Sequence, residues 1–198
     1  MFSLNVPLPS AVDRLAERLR PELDRFDRIR ERRTLVCKRL GVDVLSDPHR
    51  PPEKDAALSE LRSELRPLVR GTGPFRVEIT GIDAFPKPTA GPGPVVYLAV
   101  ESEPLIRLHW RLVRAFGGVE GIEGDAYVPH VTLARGIENG SNGFSPGSNE
   151  FARHGGPDVE RELERLRSAA GEIHVEWQVD ELELWDPEFR EAAGRIRL

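Results

Sequence analysis

The sequence has little cysteine and no long apolar run. Cys37 is the only cysteine among 198 residues, which excludes an intramolecular disulfide and a zinc site built from cysteines. No apolar run approaches the roughly 20 residues needed to span a bilayer. Residues 1–6 lack the basic and apolar regions of a signal peptide. We therefore expect a cytoplasmic protein that does not associate with membranes.

Acidic residues outnumber basic residues by 33 to 28, and the positive charge is unevenly distributed along the chain. The formal net charge of −5 excludes a uniformly basic, nucleic-acid-coating surface. Only three of the 28 basic residues are lysines. Residues 25–39 nevertheless contain seven basic and two acidic side chains. The acidic mean is therefore compatible with a local anion-binding site in this segment.

The apolar pattern predicts strands and helices in a repeated order. Strand patterns cover 2–8, 33–40, 75–79, 95–100, 127–134 and 173–179, and helical spacing covers 10–23, 58–68, 105–116 and 159–166. The order is thus β-α-β-α-β followed by a second β-α-β-α-β, with a bulge predicted near 180–181 and a last edge strand over 189–198. We expect an α+β chain that forms a single domain over 1–198, with two similar lobes and a cleft between them. Residues 136–157, rich in Gly, Ser and Asn, are interpreted as a flexible loop or insertion.

One of the five histidines lies in a context that suggests chemistry. On a strand, His130 and Thr132 face the same side, whereas Val131 and Leu133 face the other side, towards a core. An imidazole carries a proton near neutral pH, and a hydroxyl beside it donates a hydrogen bond to an oxyanion. The alternative is a solvent-exposed strand face. The other four histidines, His49, His109, His154 and His174, are interpreted as surface or packing residues.

Residues 129–135, which read PHVTLAR, resemble the second His-X-Thr motif of the 2H phosphoesterase superfamily. The closest branch is that of the 2′-5′ RNA ligase-like and cyclic phosphodiesterase proteins. The similarity extends to 75–86, to 95–100, to the helix around Leu108 and to 179–185. It implies a bilobal fold, with two pseudo-symmetric lobes of antiparallel sheet and helices around a central cleft.

The resemblance also implies an activity. Such proteins carry one His-X-Thr/Ser motif per lobe, and the two imidazoles act as general base and general acid while the hydroxyls hold phosphate. The implied substrates are RNA or nucleotide ends with a 2′,3′-cyclic phosphate or a 2′-5′ linkage, and no metal or other cofactor is implied. His130 would then transfer a proton, as acid or as base, and Thr132 would bind phosphate. We expect a monomer.

The first motif departs from the family pattern, because no histidine precedes His49. One alignment of the strand at 32–41 places Thr34 where the histidine is expected and Val36 where the threonine is expected. The other places Arg32 at the histidine position and keeps Thr34 as the threonine. Neither register supplies a proton carrier, since the pKa of arginine stays above ~12.

Basic residues near both motifs are candidates for binding phosphate, because guanidinium groups bind it through two hydrogen bonds. The alternative is a solvated strand edge. The predicted substrate-binding residues are Thr34, Arg32, Arg33, Lys38 and Arg135. Two functions follow. The chain is either a metal-independent phosphoesterase that uses His130, or an impaired relative that binds phosphate ends without turnover. A protein-interaction domain that keeps only the fold is a third possibility.

Overall fold

A computed structural model describes residues 2–41, 54–137, 157–189 and 191–198. Its strands are β1 (Phe2–Val6), β2 (Arg28–Ile29), β3 (Leu35–Leu40), β4 (Phe75–Phe85), β5 (Val95–Glu101), β6 (His130–Arg135), β7 (Val175–Val179), β8 (Glu181–Asp186) and β9 (Glu191–Arg197). Its α-helices are α1 (Ser10–Leu19), α2 (Lys54–Val69), α3 (Glu103–Phe116) and α4 (Pro157–Ala170). Short 3₁₀ turns cover Arg20–Leu23 and Gly124–Ala126. The predicted loop at 136–157 lies outside the described residues except at its ends, as do His49 and His154.

The described strands form one antiparallel sheet in the order β7-β4-β5-β6-β3-β1-β8-β9, with β2 paired to β6. The first four strands of this order are called here the C-terminal lobe, and the last four the N-terminal lobe. Leu35 of β3 pairs with Val131 of β6 and joins the two lobes. The predicted mixed α and β architecture is confirmed. The lobes are not the two halves of the sequence, however, because β4 joins the C-terminal lobe while β8 and β9 complete the N-terminal one.

The sheet is strongly curled. Val179 ends β7 at one edge of the sheet, and only Asp180 separates it from Glu181, which begins β8 near the opposite edge. Since consecutive Cα atoms lie about 3.8 Å apart, the two edges must approach each other. The indole nitrogen of Trp177 donates to the carbonyl of Pro7 at 3.1 Å across this gap. The irregularity predicted near 180–181 is thus a strand break where the chain passes between lobes.

Three of the four α-helices pack directly on the sheet, and α1 packs on α4. α2 packs on β9, α3 on β3 and β4, and α4 on β4. In β4 the apolar residues Phe75, Val77 and Ile79 are buried and alternate with exposed polar residues, as expected for a strand with one covered face. Each fully buried aliphatic side chain contributes about 1.5–3 kcal/mol to folding. No helix in the described ranges combines the length and apolar character needed to cross a bilayer.

Candidate active site

A bulge in β3 determines which side chains of this strand face the cleft described below. Consecutive residues of β1 pair with Lys38 and with Val36, so Cys37 is an extra residue in β3. A bulge of this kind reverses the alternation of side chains along the strand. Before it, Thr34 and Val36 line a cleft, and after it Arg39 lines the same cleft.

A second bulge occurs at the corresponding place in β6. Consecutive residues of β5 pair with Ala134 and with Thr132, so Leu133 is the extra residue. His130 and Thr132 precede this bulge and Arg135 follows it, and all three line the cleft. Without the bulge, Arg135 would face the opposite side of the sheet.

The two strands are related by a local two-fold axis. It passes through the antiparallel pair formed by Leu35 and Val131, and both strands carry their bulge two residues further along. Counting outward from this pair assigns equivalent positions. The equivalent residues are Thr34 and His130, Val36 and Thr132, and Arg39 and Arg135.

The cleft has a volume of about 530 Å³ and a strongly cationic lining. Among the described residues, five cationic side chains and no carboxylate line it. The cations are Arg30, Arg32, Arg39, Lys87 and Arg135. Apolar residues such as Val36, Phe85 and Val128 form other parts of its wall. A cleft with this charge attracts anions, and the bidentate guanidinium groups favour phosphate among them.

The ring of His130 is held in one orientation by a backbone hydrogen bond. Its Nδ1 donates to the carbonyl of Val128 at 2.7 Å, which leaves the Nε2 lone pair unprotonated in the neutral ring. Burial lowers the pKa of His130, and the guanidinium groups of Arg39 and Arg135 lower it further, whereas the bond to Val128 raises it. The net pKa lies below the ordinary value, so the imidazole is neutral at pH 7 and can accept a proton.

Two aromatic rings pack against this imidazole. Phe85 meets it edge-on with ring centroids 5.1 Å apart, and the Tyr97 centroid lies 5.2 Å away. Phe85 and Tyr97 stack on each other at 4.3 Å. Burial, with help from the carboxylate of Asp83, raises the pKa of Tyr97 to about 12. Tyr97 therefore supports the imidazole as a neutral phenol.

Three threonines line the cleft, and one of them, Thr89, donates its hydroxyl to the carbonyl of Gly121 at 3.0 Å. Thr132 and Thr34 also line the cleft, so their hydroxyls border the space that a ligand would occupy. A threonine hydroxyl can donate to a phosphate oxygen. At the position equivalent to Thr132, Val36 offers no such donor.

The structure brings five of the seven predicted site residues together in the cleft. They are Arg32, Thr34, His130, Thr132 and Arg135. Arg33 does not reach it. The Arg33 side chain is only 5% exposed, and its guanidinium group binds Asp13 at 3.2 Å and Glu17 at 2.7 Å. These carboxylates hold it on the side of α1, away from the cleft.

Lys38 does not reach the cleft either. The bulge turns it into the protein, where its side chain is 2% exposed and its Nζ donates to Glu123 at 2.6 Å. Glu123 also accepts hydrogen bonds from the backbone amides of Arg39 at 2.7 Å and Val119 at 3.0 Å. This buried ion pair ties the segment before β6 to β3. Burial raises the pKa of Glu123, but its hydrogen bonds with Lys38, Arg39 and Val119 together outweigh burial and leave the pKa below its ordinary value.

Three cationic residues of the cleft were not among the predicted site residues. Arg39 faces the cleft because of the bulge at Cys37, and no pattern in the sequence predicts this bulge. Arg30 is placed by its backbone amide, which donates to the carbonyl of Leu133 at 2.8 Å beside β6. Lys87 lies on the loop between β4 and β5. The only sequence signal for Arg30 and Arg39 is the excess of basic residues over 25–39.

A further wall of the cleft is fixed by Tyr127. Its ring stacks on His109 with centroids 3.7 Å apart, and its hydroxyl donates to the carbonyl of Val36 at 2.9 Å. His109 in turn donates from Nδ1 to the carbonyl of Cys37 at 2.7 Å and accepts from the amide of Gly124 at 3.0 Å. Burial lowers the pKa of His109, which is thus a neutral packing residue.

Comparison with known proteins agrees with this fold. Residues 45–188 match the family described as the 2′-5′ RNA ligase superfamily. The chain therefore belongs to this superfamily, which confirms the resemblance seen at residues 129–135. The matched segment contains His130 and Thr132 and begins after β3.

The fold is shared with a solved structure. The crystal structure of TT0787 of Thermus thermophilus superposes with a TM-score of 0.54 at 20% sequence identity, over 100% of this chain and 97% of that one. At this identity the likeness concerns the fold alone. No curated protein matches the sequence.

Proposed function

We propose that the cleft binds the phosphate of an RNA or nucleotide end bearing a 2′,3′-cyclic phosphate or a 2′-5′ linkage, and that His130 transfers a proton during its hydrolysis. The observation that carries this proposal is the position of His130 and Thr132 in a cleft lined by cations, with no carboxylate among its described residues. The family supports a phosphoester substrate of this kind.

Phosphate binding is supported by the arrangement of donors around the two-fold axis. Thr132 offers a hydroxyl, while Arg39 and Arg135 approach from the two strands. The pKa of Arg135 is lowered by burial and by the positive charges of Arg30 and Arg39. The cations of the cleft therefore repel one another. A bound phosphate removes this repulsion and adds charge-assisted hydrogen bonds, which are about twice as strong as neutral ones.

The proton step follows from the state of His130. Its neutral Nε2 accepts a proton from the water that attacks phosphorus. The new phosphorus–oxygen bond forms as the bond to the ribose 2′ or 3′ oxygen breaks. Thr34, at the position equivalent to His130, does not exchange protons near neutral pH, so in this proposal the leaving oxygen receives its proton from solvent. A positioned general acid contributes about 10²–10⁴-fold in rate, so turnover is slow by that factor.

The second candidate function is binding of phosphate ends without turnover. The observation that favours it is again Thr34, whose hydroxyl can hold a phosphate oxygen but does not exchange protons near neutral pH. In this function His130 serves as one more hydrogen-bonding partner of the phosphate.

The test is single-turnover hydrolysis of an oligoribonucleotide ending in a 2′,3′-cyclic phosphate. We expect slow cleavage by the wild type and a loss of about 10²-fold or more in His130→Ala. His174→Ala is the matched control, because His174 is exposed and lies just before β7. Binding of the substrate without cleavage supports the second function. Absence of both binding and cleavage at low salt overturns the proposal.

A further inference from the structure

A second cavity lies beside the cleft, in the N-terminal lobe. Its volume is about 200 Å³, and Thr34 lines both this cavity and the cleft. Its polar lining comes from Asn5, Asp13, Arg33, Thr34, Glu183 and Trp185. Thr34 therefore borders both spaces, and the cavity lies next to the proposed phosphate site.

The two-fold axis explains why space exists here. Asn5 pairs with Glu183 in the N-terminal lobe as Tyr97 pairs with Asp83 in the C-terminal lobe. Continuing this count makes Trp185 equivalent to Phe85. In the C-terminal lobe the rings of Phe85 and Tyr97 pack against an imidazole. In the N-terminal lobe the smaller side chains of Asn5 and Thr34 stand at two of these positions.

The carboxamide of Asn5 is the notable group of this cavity. The residue is 3% exposed, and neither its nitrogen nor its oxygen has a hydrogen-bond partner in the described structure. Buried amides are nearly always hydrogen-bonded, because leaving them unpaired costs free energy. The amide carries one donating and one accepting atom side by side, and both are covered in this structure.

The charges of the cavity determine the class of ligand. Arg33 is already held by Asp13 and Glu17, and Glu183 lies 3.2 Å from Arg195. No surplus positive charge remains for a second phosphate among the described residues that line the cavity, in contrast to the cleft. At about 30 Å³ per water molecule the cavity holds about six waters, which suits one planar ring system rather than a long chain.

We propose that this cavity is a nucleobase subsite, in which Asn5 hydrogen-bonds the donor and acceptor edge of a base and Trp185 offers a stacking surface. Asparagine pairs with adenine through two such hydrogen bonds, so adenine is the preferred base. This inference rests on the proposed function, since the phosphate attached to that nucleoside occupies the cleft.

The experiment compares two ligands that share the phosphate and differ in the base. They are adenosine 2′,3′-cyclic phosphate and ribose 2,3-cyclic phosphate without a base, with binding measured by calorimetry. We expect the wild type to bind the adenine-bearing ligand about tenfold more tightly or better. In Asn5→Leu this preference is lost. The matched control is Gln178→Leu, which exchanges an amide for an apolar side chain at an exposed position of β7 and keeps the preference.

Three outcomes separate the inference from the proposed function. If the wild type binds both ligands equally, the subsite is absent and the inference alone is overturned. If the wild type binds neither ligand, phosphate binding in the cleft is contradicted, and with it the proposed function on which the subsite rests. Should Asn5→Leu fold poorly, Asn5→Asp replaces the donating amide by an acceptor. We expect Asn5→Asp to change the ranking of adenine, cytosine, guanine and uracil nucleotides, and an unchanged ranking contradicts the role of Asn5.

Discussion

Thr34, just before β3, and His130, at the start of β6, occupy equivalent positions where these two strands meet at the centre of the sheet. Each precedes one member of the pair formed by Leu35 and Val131, and each faces the same cleft. A fold with two-fold symmetry in its backbone thus presents one imidazole where its geometry offers two equivalent places. The chemistry of the cleft is asymmetric as a result.

Restoring the second imidazole should increase turnover. In Thr34→His the new ring faces the cleft opposite His130 and can protonate the leaving oxygen. We expect a gain of about 10²-fold or more in single-turnover hydrolysis of a 2′,3′-cyclic phosphate end. Arg32→His is the control for the other alignment of the first motif and should give no gain. An equal gain in both variants, or none in a folded Thr34→His, contradicts the assigned equivalence.

The pH dependence should report the lowered pKa of His130. The neutral ring is the base, so kcat/KM decreases as the pH decreases through this pKa. Because the pKa lies below its ordinary value of 6.5, more than half of the rings remain neutral at pH 6.5. We expect the acidic limb below that pH, with the imidazole titrating in parallel by NMR. Arg39→Gln removes a neighbouring cation and should move the limb to higher pH. A limb above pH 6.5 in the wild type contradicts this electrostatic assignment.

The slope of log K against log salt should report how many cationic side chains contact phosphate. For a single-stranded RNA end, each phosphate contact contributes about 0.7 to the slope of log K against log salt. Arg135→Gln should therefore reduce the slope by roughly this amount. Arg107→Gln is the matched control, since Arg107 lies exposed on α3 and pairs with Glu103. Equal effects of both variants mean that binding is not localised in the cleft.

The buried ion pair of Lys38 and Glu123 should contribute to the stability of the folded protein. Removing one partner of a buried ion pair costs about 3–5 kcal/mol, so we expect Lys38→Met to reduce the free energy of unfolding by that amount. The double variant Lys38→Met/Glu123→Gln should recover part of the loss. Chemical unfolding at pH 7 measures both.

The acid dependence of stability gives an independent check on this pair. The pKa of Glu123 is lowered in the folded state, so its contribution is complete above the ordinary value of 4.5. The contribution is lost as the pH decreases through the lowered pKa. Wild-type stability should thus decrease more below pH 4.5 than that of the double variant. Identical acid profiles contradict a stabilising role of the carboxylate.

Local patterns were sufficient to predict most of the elements. Alternation along β4 and helical spacing along α3 depend on which face of a single segment is buried, and this information lies within a few neighbouring residues. The family was likewise readable from residues 129–135. The same alternation predicted that His130 and Thr132 share a face, and both line the cleft.

What the sequence alone determined is therefore most of the strands and helices, the family, and the common face of His130 and Thr132. It did not predict the short strand β2 or the separate strand β8. The tertiary structure decided the rest of the cleft. The bulges at Cys37 and Leu133 arise from pairing with β1 and β5, which lie far away in the chain, and they turn Arg39 inward and Lys38 into a buried ion pair. The equivalence of Thr34 and His130 likewise exists only once β3 and β6 lie side by side. Register between distant strands is set by packing across the whole sheet, and no single segment contains that information.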